Sequence, residues 1–237
     1  MRKAIIIGGT SGIGRELARI MVGAGYTVGV CGRRPELLQE LQKEFPGVIL
    51  TKQLDVVQPQ AMEQLKELIT EMGGTDVIVI SAGTGDLNKD LDWKIEKDTI
   101  DVNVTGFAAM SNVAFEYFRG KGLGHIVGIS SIAAIRGGGA APAYNASKAF
   151  VSNYLEGLRQ KAAKLHLAIT VTDIMPGLVD TAMAKGAGLF WVAPPEKAAN
   201  QIFEAIGKGK SHAYVTKRWR LIAWLLKSLP DNLYKRL

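Results

Sequence analysis

Short runs of apolar, β-branched residues alternate with segments of helical periodicity along almost the whole chain. Runs that are apolar at consecutive positions are typical of strands buried on both faces of a parallel sheet. The pattern predicts seven such strands, at residues 4–7, 27–31, 48–54, 76–80, 125–130, 168–174 and 212–216. It predicts helices between them, at residues 13–24, 35–45, 60–72, 99–119, 144–165 and 195–206. This alternation predicts an α/β fold in which helices cover both faces of one doubly wound parallel sheet.

Length and composition limit the chain to a few classes of protein. A chain of 237 residues, with 47% apolar and 22% charged residues, is typical of one globular domain. Cys31 is the single cysteine, which excludes an intrachain disulfide, and the histidines show no metal-ligand spacing. We therefore expect no metal site. The sequence shows neither a bilayer-spanning apolar run nor a signal peptide, so we expect a cytoplasmic protein.

The net charge of +7 is confined to the end of the chain. Residues 1–207 contain 21 basic and 21 acidic side chains, whereas residues 208–237 contain eight basic side chains against Asp231 alone. An electroneutral body argues against a broad nucleic-acid-binding face, because such a face needs clustered positive charge. We therefore expect no nucleic-acid partner and consider the basic C-terminal segment separately.

A glycine-rich turn joins the first predicted strand to the first predicted helix, over residues 8–14. Glycine lets the backbone approach a pyrophosphate closely, and the free N–H groups of the following helix attract its charge. A tight turn without a ligand is the alternative, but the position between a strand and a helix favours a nucleotide. The predicted cofactor contacts in this loop are Gly8, Thr10, Ser11, Gly12, Ile13 and Gly14.

The end of the second predicted strand indicates which dinucleotide the site prefers. Sites selective for NAD usually place an acidic residue there, where it binds the ribose hydroxyls. This chain has Arg33 and Arg34 instead. Guanidinium groups match the oxygens of a 2′-phosphate, so the sequence favours NADP(H) over NAD(H), with Arg15 as a further candidate contact. The alternative is that both arginines are solvated loop charges.

Tyr144 and Lys148 lie four residues apart at the start of a predicted helix, so both side chains share one face. A free tyrosine has a pKa of about 10, and a nearby ammonium lowers it toward the range useful for acid–base catalysis. Ser130 and Ser131 follow an apolar strand, where a hydroxyl can polarise a carbonyl oxygen. The spacing favours Ser131 for that role and Ser130 as a structural hydroxyl.

Together these motifs resemble the compact single-domain branch of the short-chain dehydrogenase/reductase (SDR) family. The resemblance also includes an Asn-Val-x-Gly motif that begins at Asn103. The chain departs from the family pattern at Ile7, where threonine is common, and at Ile80 and Ser81, where asparagine is common. The resemblance implies further cofactor contacts at Asp55, Ala82, Gly83, Pro176, Gly177, Val179 and Thr181.

The resemblance implies hydride transfer from NADPH to a carbonyl carbon in a Rossmann-type catalytic domain over residues 1–216. Tyr144 would protonate the forming alkoxide and Ser131 would hydrogen-bond the carbonyl oxygen. Lys148 would lower the pKa of Tyr144 and bind the nicotinamide ribose, which also places both residues among the cofactor contacts. Asn103 would position a water that connects Lys148 to solvent. Two alternatives stay open: a dinucleotide-binding regulatory or membrane-associated scaffold protein without turnover, and an epimerase or dehydratase.

Large apolar residues follow the Pro-Gly motif, at Met183 and at residues 189–192, where the family has its substrate lid. They favour a small apolar or lipid-like carbonyl substrate, and the alternative is that they pack against the body of the domain. Arg136 is expected either to bind an acidic group of the substrate or to be solvated. The resemblance further implies a homodimer or homotetramer that pairs through the helices at 99–119 and 144–165.

Residues 217–229 are predicted to form a basic amphipathic helix within a C-terminal segment, residues 217–237, that belongs to the same unit. This helix either packs on the pocket or a partner subunit, or lies on an anionic membrane, and the sequence supports both equally. Arg220 and Lys227 lie opposite the apolar residues. The broad apolar face consists of Trp219, Leu221, Ile222, Ala223, Leu225, Leu226 and Leu229.

Overall fold

The computed structural model describes residues 2–183 and 190–235, which contain one seven-stranded sheet. Its strands are β1 (Lys3–Ile7), β2 (Thr27–Gly32), β3 (Ile49–Gln53), β4 (Val77–Ile80), β5 (Leu123–Ile129), β6 (Ala168–Pro176) and β7 (His212–Val215). All neighbouring strands are parallel, in the order β3-β2-β1-β4-β5-β6-β7. The predicted doubly wound parallel sheet is confirmed.

The helices lie between the strands, with two further helices after the last one. They are α1 (Gly12–Gly23), α2 (Pro35–Glu44), α3 (Ala61–Glu71), α4 (Trp93–Ile100), α5 (Phe107–Lys121), α6 (Pro142–Lys164), α7 (Pro195–Gly207), α8 (Trp219–Ser228) and α9 (Asp231–Tyr234). A π-helical segment, Asp101–Gly106, joins α4 to α5, and a 3₁₀ turn, Ile132–Ile135, follows β5.

The helix predicted at residues 99–119 begins earlier than expected and is interrupted. It starts at Trp93, where the side chain of Asp92 accepts a hydrogen bond from the Lys94 amide at 2.7 Å. The first turns are mostly polar, so apolar periodicity gave no sign of them. The π segment then places Gly106 so close to Val56 that an added Cβ would lie 2.6 Å from its side chain. This close approach explains why a glycine stands at that turn.

Two apolar clusters fill the space above and below the sheet. In β1, Ile5 and Ile7 belong to the cluster that includes Phe107 and Phe118, whereas Ala4 and Ile6 belong to the other. Successive residues of a strand point to opposite faces, so a strand with helices on both sides must be apolar at every position. This explains the uninterrupted apolar runs in the sequence.

The strand order reverses between β1 and β4, which places a crevice at the carboxyl ends of these two strands. In open α/β sheets, ligands bind in the crevice at such a switch point. The Ser81 amide after β4 donates to the Ile7 carbonyl at the end of β1 at 2.8 Å. Ile7 and Ile80 are both buried there, so these departures from the family pattern contribute apolar packing.

The C-terminal segment packs against the sheet domain. Trp219 and Ala223 of α8 are buried, and the helix contacts the 3₁₀ turn after β5. Arg136 donates to the carbonyl of Leu229 at 3.0 Å and forms an ion pair with Asp231 at 2.6 Å. Among residues 2–183 and 190–235, none of the helices has both the length and the apolarity to cross a bilayer.

Candidate active site

A cleft of roughly 600 Å³ opens at the carboxyl ends of the strands. It receives the loops that follow β1, β2, β3, β4, β5 and β6 and the start of α6. Every predicted cofactor residue lines it: Gly8, Thr10, Ser11, Gly12, Ile13, Gly14, Arg33, Arg34, Asp55, Ala82, Gly83, Tyr144, Lys148, Pro176, Gly177, Val179 and Thr181. The sequence therefore identified one contiguous surface from residues far apart in the chain.

The glycine loop forms a backbone cradle that side chains would fill. Gly8 has a positive φ of 87°, and a Cβ added there would lie 2.5 Å from the backbone nitrogen of Ala82. A Cβ on Gly14 would lie 2.3 Å from the Gly8 carbonyl oxygen. On the opposite side, the Thr181 methyl group lies 3.0 Å from the position of a Cβ on Gly12. The cradle has the close backbone approach that a pyrophosphate requires.

Arg34 lies directly beside this loop. Its guanidinium donates to the hydroxyl oxygens of Thr10 at 2.9 Å and Ser11 at 2.8 Å. Arg33 is exposed at the same end of the cleft. Two guanidinium groups and two hydroxyl groups thus line the cleft near the end of β2. Arg15, the further candidate, instead pairs with Glu40 at 3.4 Å.

Asp55 lies half-buried on the same wall of the cleft, after β3. Its carboxylate accepts a hydrogen bond from the Val57 amide at 3.3 Å, and its carbonyl accepts one from the Gln58 amide at 3.0 Å. These contacts fix the loop that borders the cleft.

Ser131 and Tyr144 are brought together on the wall opposite the glycine loop. The Ser131 hydroxyl oxygen accepts a hydrogen bond from the Ala133 amide at 3.1 Å, which starts the 3₁₀ turn. Burial raises the pKa of Tyr144, and a hydrogen bond with Ser131 opposes this rise. With its pKa raised, Tyr144 holds its proton at neutral pH. The lowering of this pKa by Lys148 that the sequence predicts stays a prediction.

Lys148 is buried on the same face of α6. Its ammonium donates to the Ile129 carbonyl at 3.0 Å and lies 5.7 Å from the centroid of the Tyr144 ring. Burial lowers the pKa of Lys148 to about 8, and the negative charge of Asp173 opposes that shift. At neutral pH the ammonium form prevails, so a positive charge lies beside the phenol.

A polar chain that runs from the buried Ser130 and Asp173 to the more exposed His212 and Arg159 was not predicted from the sequence. The Ser130 hydroxyl lies within hydrogen-bond distance of the Asp173 carboxylate and the Ile174 carbonyl, contacts that agree with the structural role predicted for it. The other Asp173 oxygen lies 3.6 Å from His212 Nδ1, and His212 Nε2 lies 3.1 Å from Arg159. Asp173 is the one charged residue of strand β6, and that isolated carboxylate was the available signal.

Asn103 lies in the π-helical segment and is buried behind the cleft wall. Its carbonyl oxygen accepts from the Thr84 amide at 2.8 Å, and its amide donates to the Thr84 carbonyl at 2.7 Å and to Ser147 at 3.0 Å. Both the oxygen and the nitrogen of the Asn103 side chain are therefore hydrogen-bonded to protein groups, and these bonds fix the turn after β4. The water relay implied by the resemblance stays a prediction.

Some features of the cleft were not predicted from the sequence. A Cβ on Gly85 would lie 2.3 Å from the Tyr144 ring, so this glycine makes room for the phenol. Gly177 was predicted as a cofactor contact, but its close approach to Trp219 was not: a Cβ on Gly177 would lie 2.1 Å from that ring, which places α8 directly behind the Pro-Gly turn. Apolar side chains that the sequence did not single out also line the substrate end: Leu87, Ile132, Ala133 and Leu178.

Two further predictions have definite outcomes. Arg136 does not line the cleft, because it holds the C-terminal segment and lies over the Tyr234 ring at 4.3 Å. Within the lid sequence, Met183 lines the cleft, and Phe190 stacks on Trp219 at 5.4 Å. Leu189 lies outside the described residues.

The sheet, the glycine cradle and the tyrosine–lysine pair define a dinucleotide-dependent oxidoreductase site. Residues 2–189 match the family model described as short chain dehydrogenase. The chain therefore belongs to the short-chain dehydrogenase family and acts as an oxidoreductase on CH–OH or C=O groups.

Relatives and solved structures are similar over most of their length. An uncharacterized oxidoreductase of Myxococcus xanthus is 35% identical, covering 98% of this chain and 94% of the relative. A short-chain dehydrogenase from Streptomyces avermitilis has the same fold, with a TM-score of 0.82, 24% identity and coverage of 96% and 91%. A closed form of serine dehydrogenase complexed with NADP+ has a TM-score of 0.81 and 26% identity, covering 90% of this chain and 93% of that one.

Gly85→Ala tests whether the glycine makes room for Tyr144. We expect turnover to fall about a hundredfold, because a Cβ would displace the phenol by an ångström or more. Dinucleotide binding and the midpoint of thermal unfolding should change little. Gly139→Ala is the matched control, since a Cβ there would meet no atom within 4 Å. Equal turnover in the two variants would contradict this role.

Proposed function

We propose that the protein is an NADPH-dependent reductase that converts a ketone, aldehyde or 3-oxoacyl group into an alcohol. The observation that carries the proposal is that Ser131, Tyr144 and Lys148 line the cleft that also contains the glycine cradle. Its partners are a small apolar carbonyl compound and further copies of the same chain, in the cytoplasm. A regulatory protein without turnover would not need a protonated phenol paired with a buried ammonium.

The residues of the cleft fit a nicotinamide dinucleotide. Gly8, Gly12 and Gly14 leave room for the pyrophosphate, and a 2′-phosphate suits the cluster formed by Arg33, Arg34 and the Thr10 and Ser11 hydroxyls. The serine dehydrogenase of the same fold, solved with NADP+, supports this preference. When bound, the reduced cofactor would supply the hydride.

Each catalytic side chain has one task in the proposed reaction. Ser131 hydrogen-bonds the carbonyl oxygen and stabilises its growing negative charge. Tyr144 donates its proton to that oxygen, which its raised pKa permits at neutral pH. The Lys148 ammonium stabilises the phenolate that remains. Asn103 acts as a positioning residue through Thr84.

The substrate end of the cleft favours an apolar compound. Leu87, Ile132, Leu178 and Met183 contribute apolar surface there. Arg136, the one cation considered for an acidic substrate, is committed to the C-terminal segment. A hydrophobic ketone or acyl chain therefore matches the wall better than a charged substrate does.

Tyr144→Phe tests the general acid. We expect kcat to fall by about 10² to 10⁴, because the transferred proton is removed, while the affinity for NADPH stays within about twofold. NADPH oxidation is followed across ketones, aldehydes and 3-oxoacyl thioesters of graded chain length. Tyr154→Phe, on the same helix, serves as the control and should keep full activity. If Tyr144→Phe retained wild-type turnover, the assignment would be wrong.

Arg33→Ala and Arg34→Ala test recognition of the 2′-phosphate. Each should raise the Kd for NADPH about 10-fold to 100-fold, since a hydrogen bond to a charged group is lost. The Kd for NADH, measured by the same calorimetric titration, should change far less. Arg119→Ala, on the surface of α5, is the control. Equal losses for the two cofactors would argue against the proposed preference.

The pH profile of kcat/KM tests the role of Lys148. The lysine is cationic below its pKa of about 8 and neutral above it, so kcat/KM should decline as pH rises through 8. Asp173→Asn removes the charge that favours the ammonium, so the decline should move to lower pH. Ser130→Ala keeps the Asp173 carboxylate, so it should shift the pH of the decline less than Asp173→Asn does. A profile that is identical in wild type and Asp173→Asn would refute this coupling.

A further inference from the structure

Helix α8 is held on the domain by one edge. Trp219 and Ala223 on that edge are buried, and Trp219 stacks on Phe190. Arg136 donates to the carbonyls of Leu226 at 3.4 Å and Leu229 at 3.0 Å, which fixes the far end of the helix. The helix therefore has a fixed orientation, and its outer edge cannot turn inward.

That outer edge carries an apolar patch, which consists of Leu221, Trp224 and Leu225. Their exposed fractions are 68%, 69% and 50%. The broad apolar face predicted from the sequence is thus divided, because its inner part packs on the domain while Leu221 and Leu225 point outward. Trp224, which the sequence analysis did not assign to that face, lies beside them. A rigid helix that exposes three large apolar side chains in two turns indicates a binding surface.

Basic side chains border the patch. Lys217, Arg218, Arg220 and Lys227 are exposed on the same helix or just before it, and the Arg218 guanidinium lies over the Trp191 ring at 5.0 Å. Residues 1–207 are electroneutral, so the net positive charge of the chain lies in residues 208–237, which include this helix. The surface therefore combines an apolar centre with a cationic border.

We propose that the apolar patch and its basic border bind the surface of an anionic membrane. In that arrangement Leu221, Trp224 and Leu225 enter the boundary between headgroups and acyl chains, as the apolar face of an interfacial helix does. The four cations meet anionic headgroups, and tryptophan is favoured at this depth.

The charge distribution favours this occupant over the alternatives. In a symmetric contact between two copies, each patch would bring the same four cations against its equivalent, and like charges repel. A nucleic acid would satisfy the cations but would leave two exposed leucines against a charged backbone. Of these three occupants, the anionic bilayer is the one that matches both the apolar centre and the cationic border of the surface.

Vesicle co-sedimentation of the full chain, without cofactor or substrate, tests the proposal independently of turnover. The vesicles are phosphatidylcholine alone, or phosphatidylcholine with about one third phosphatidylglycerol. We expect the protein to pellet with the anionic vesicles and to stay in the supernatant with the neutral ones. Tryptophan fluorescence should shift to shorter wavelength on binding, and added salt should weaken the binding.

Surface variants separate the two parts of the site. Trp224→Ser should weaken binding about tenfold, and Leu221→Ser provides a second test of the apolar centre. Arg220→Gln combined with Lys227→Gln should weaken it about fivefold for each charge. Trp93→Ser is a matched control, because Trp93 on α4 is also 69% exposed. Lys43→Gln combined with Lys164→Gln makes the same change of net charge elsewhere.

Three results would overturn the proposal. One is equal pelleting of Trp224→Ser, Leu221→Ser and Trp93→Ser. Another is equal binding of the wild type to neutral and anionic vesicles. The third is absence of binding to the anionic vesicles. A dimer in sedimentation velocity that Trp224→Ser dissociates would then show that a second copy covers the patch. Circular dichroism of each variant verifies that it is folded.

Discussion

A buried ammonium at the carboxyl edge of the sheet is the constraint on which the site depends. A charge removed from water is costly unless nearby groups compensate it. Lys148 is 5% exposed and finds the Ile129 carbonyl at the end of β5 and the negative charge of Asp173 on β6. Helix α6 must therefore pass close to these two strands, and the same helix then presents Tyr144 to the cleft.

The opposite wall depends on close backbone contact rather than on charge. Gly8 and Ala82 bring the loops after β1 and β4 so near that a methyl group would not fit between them. Asn103 fixes the continuation of the second loop through both backbone groups of Thr84. The cleft thus has one wall of backbone amides and one wall of titratable side chains, an arrangement that suits a charged cofactor beside an acid–base pair.

Helix α8 links this cleft to the protein surface. Its inner edge places Trp219 against Gly177, and its outer edge exposes the apolar patch. The structure shows packing near the pocket for the inner edge of the helix, whereas membrane contact stays a proposal for the edge that faces outward. Arg136 fixes the orientation of α8 by donating hydrogen bonds to carbonyls at its C-terminal end. Nothing in the sequence around this loop arginine indicates that role.

The sequence by itself determined the sheet, the order of its elements and many of the residues that line the cleft. Strands buried on both faces must be apolar throughout, and a glycine cradle and a Tyr-x-x-x-Lys pair are local patterns that can be recognised without a structure. Contacts between distant segments could not be predicted in this way. The room that Gly85 leaves for Tyr144, the partnership of Ser130 with Asp173 and the start of α4 at Trp93 depend on close approach or polar capping. The division of the α8 face likewise required the tertiary structure, because a helical wheel shows which residues share a side but not which half the domain covers.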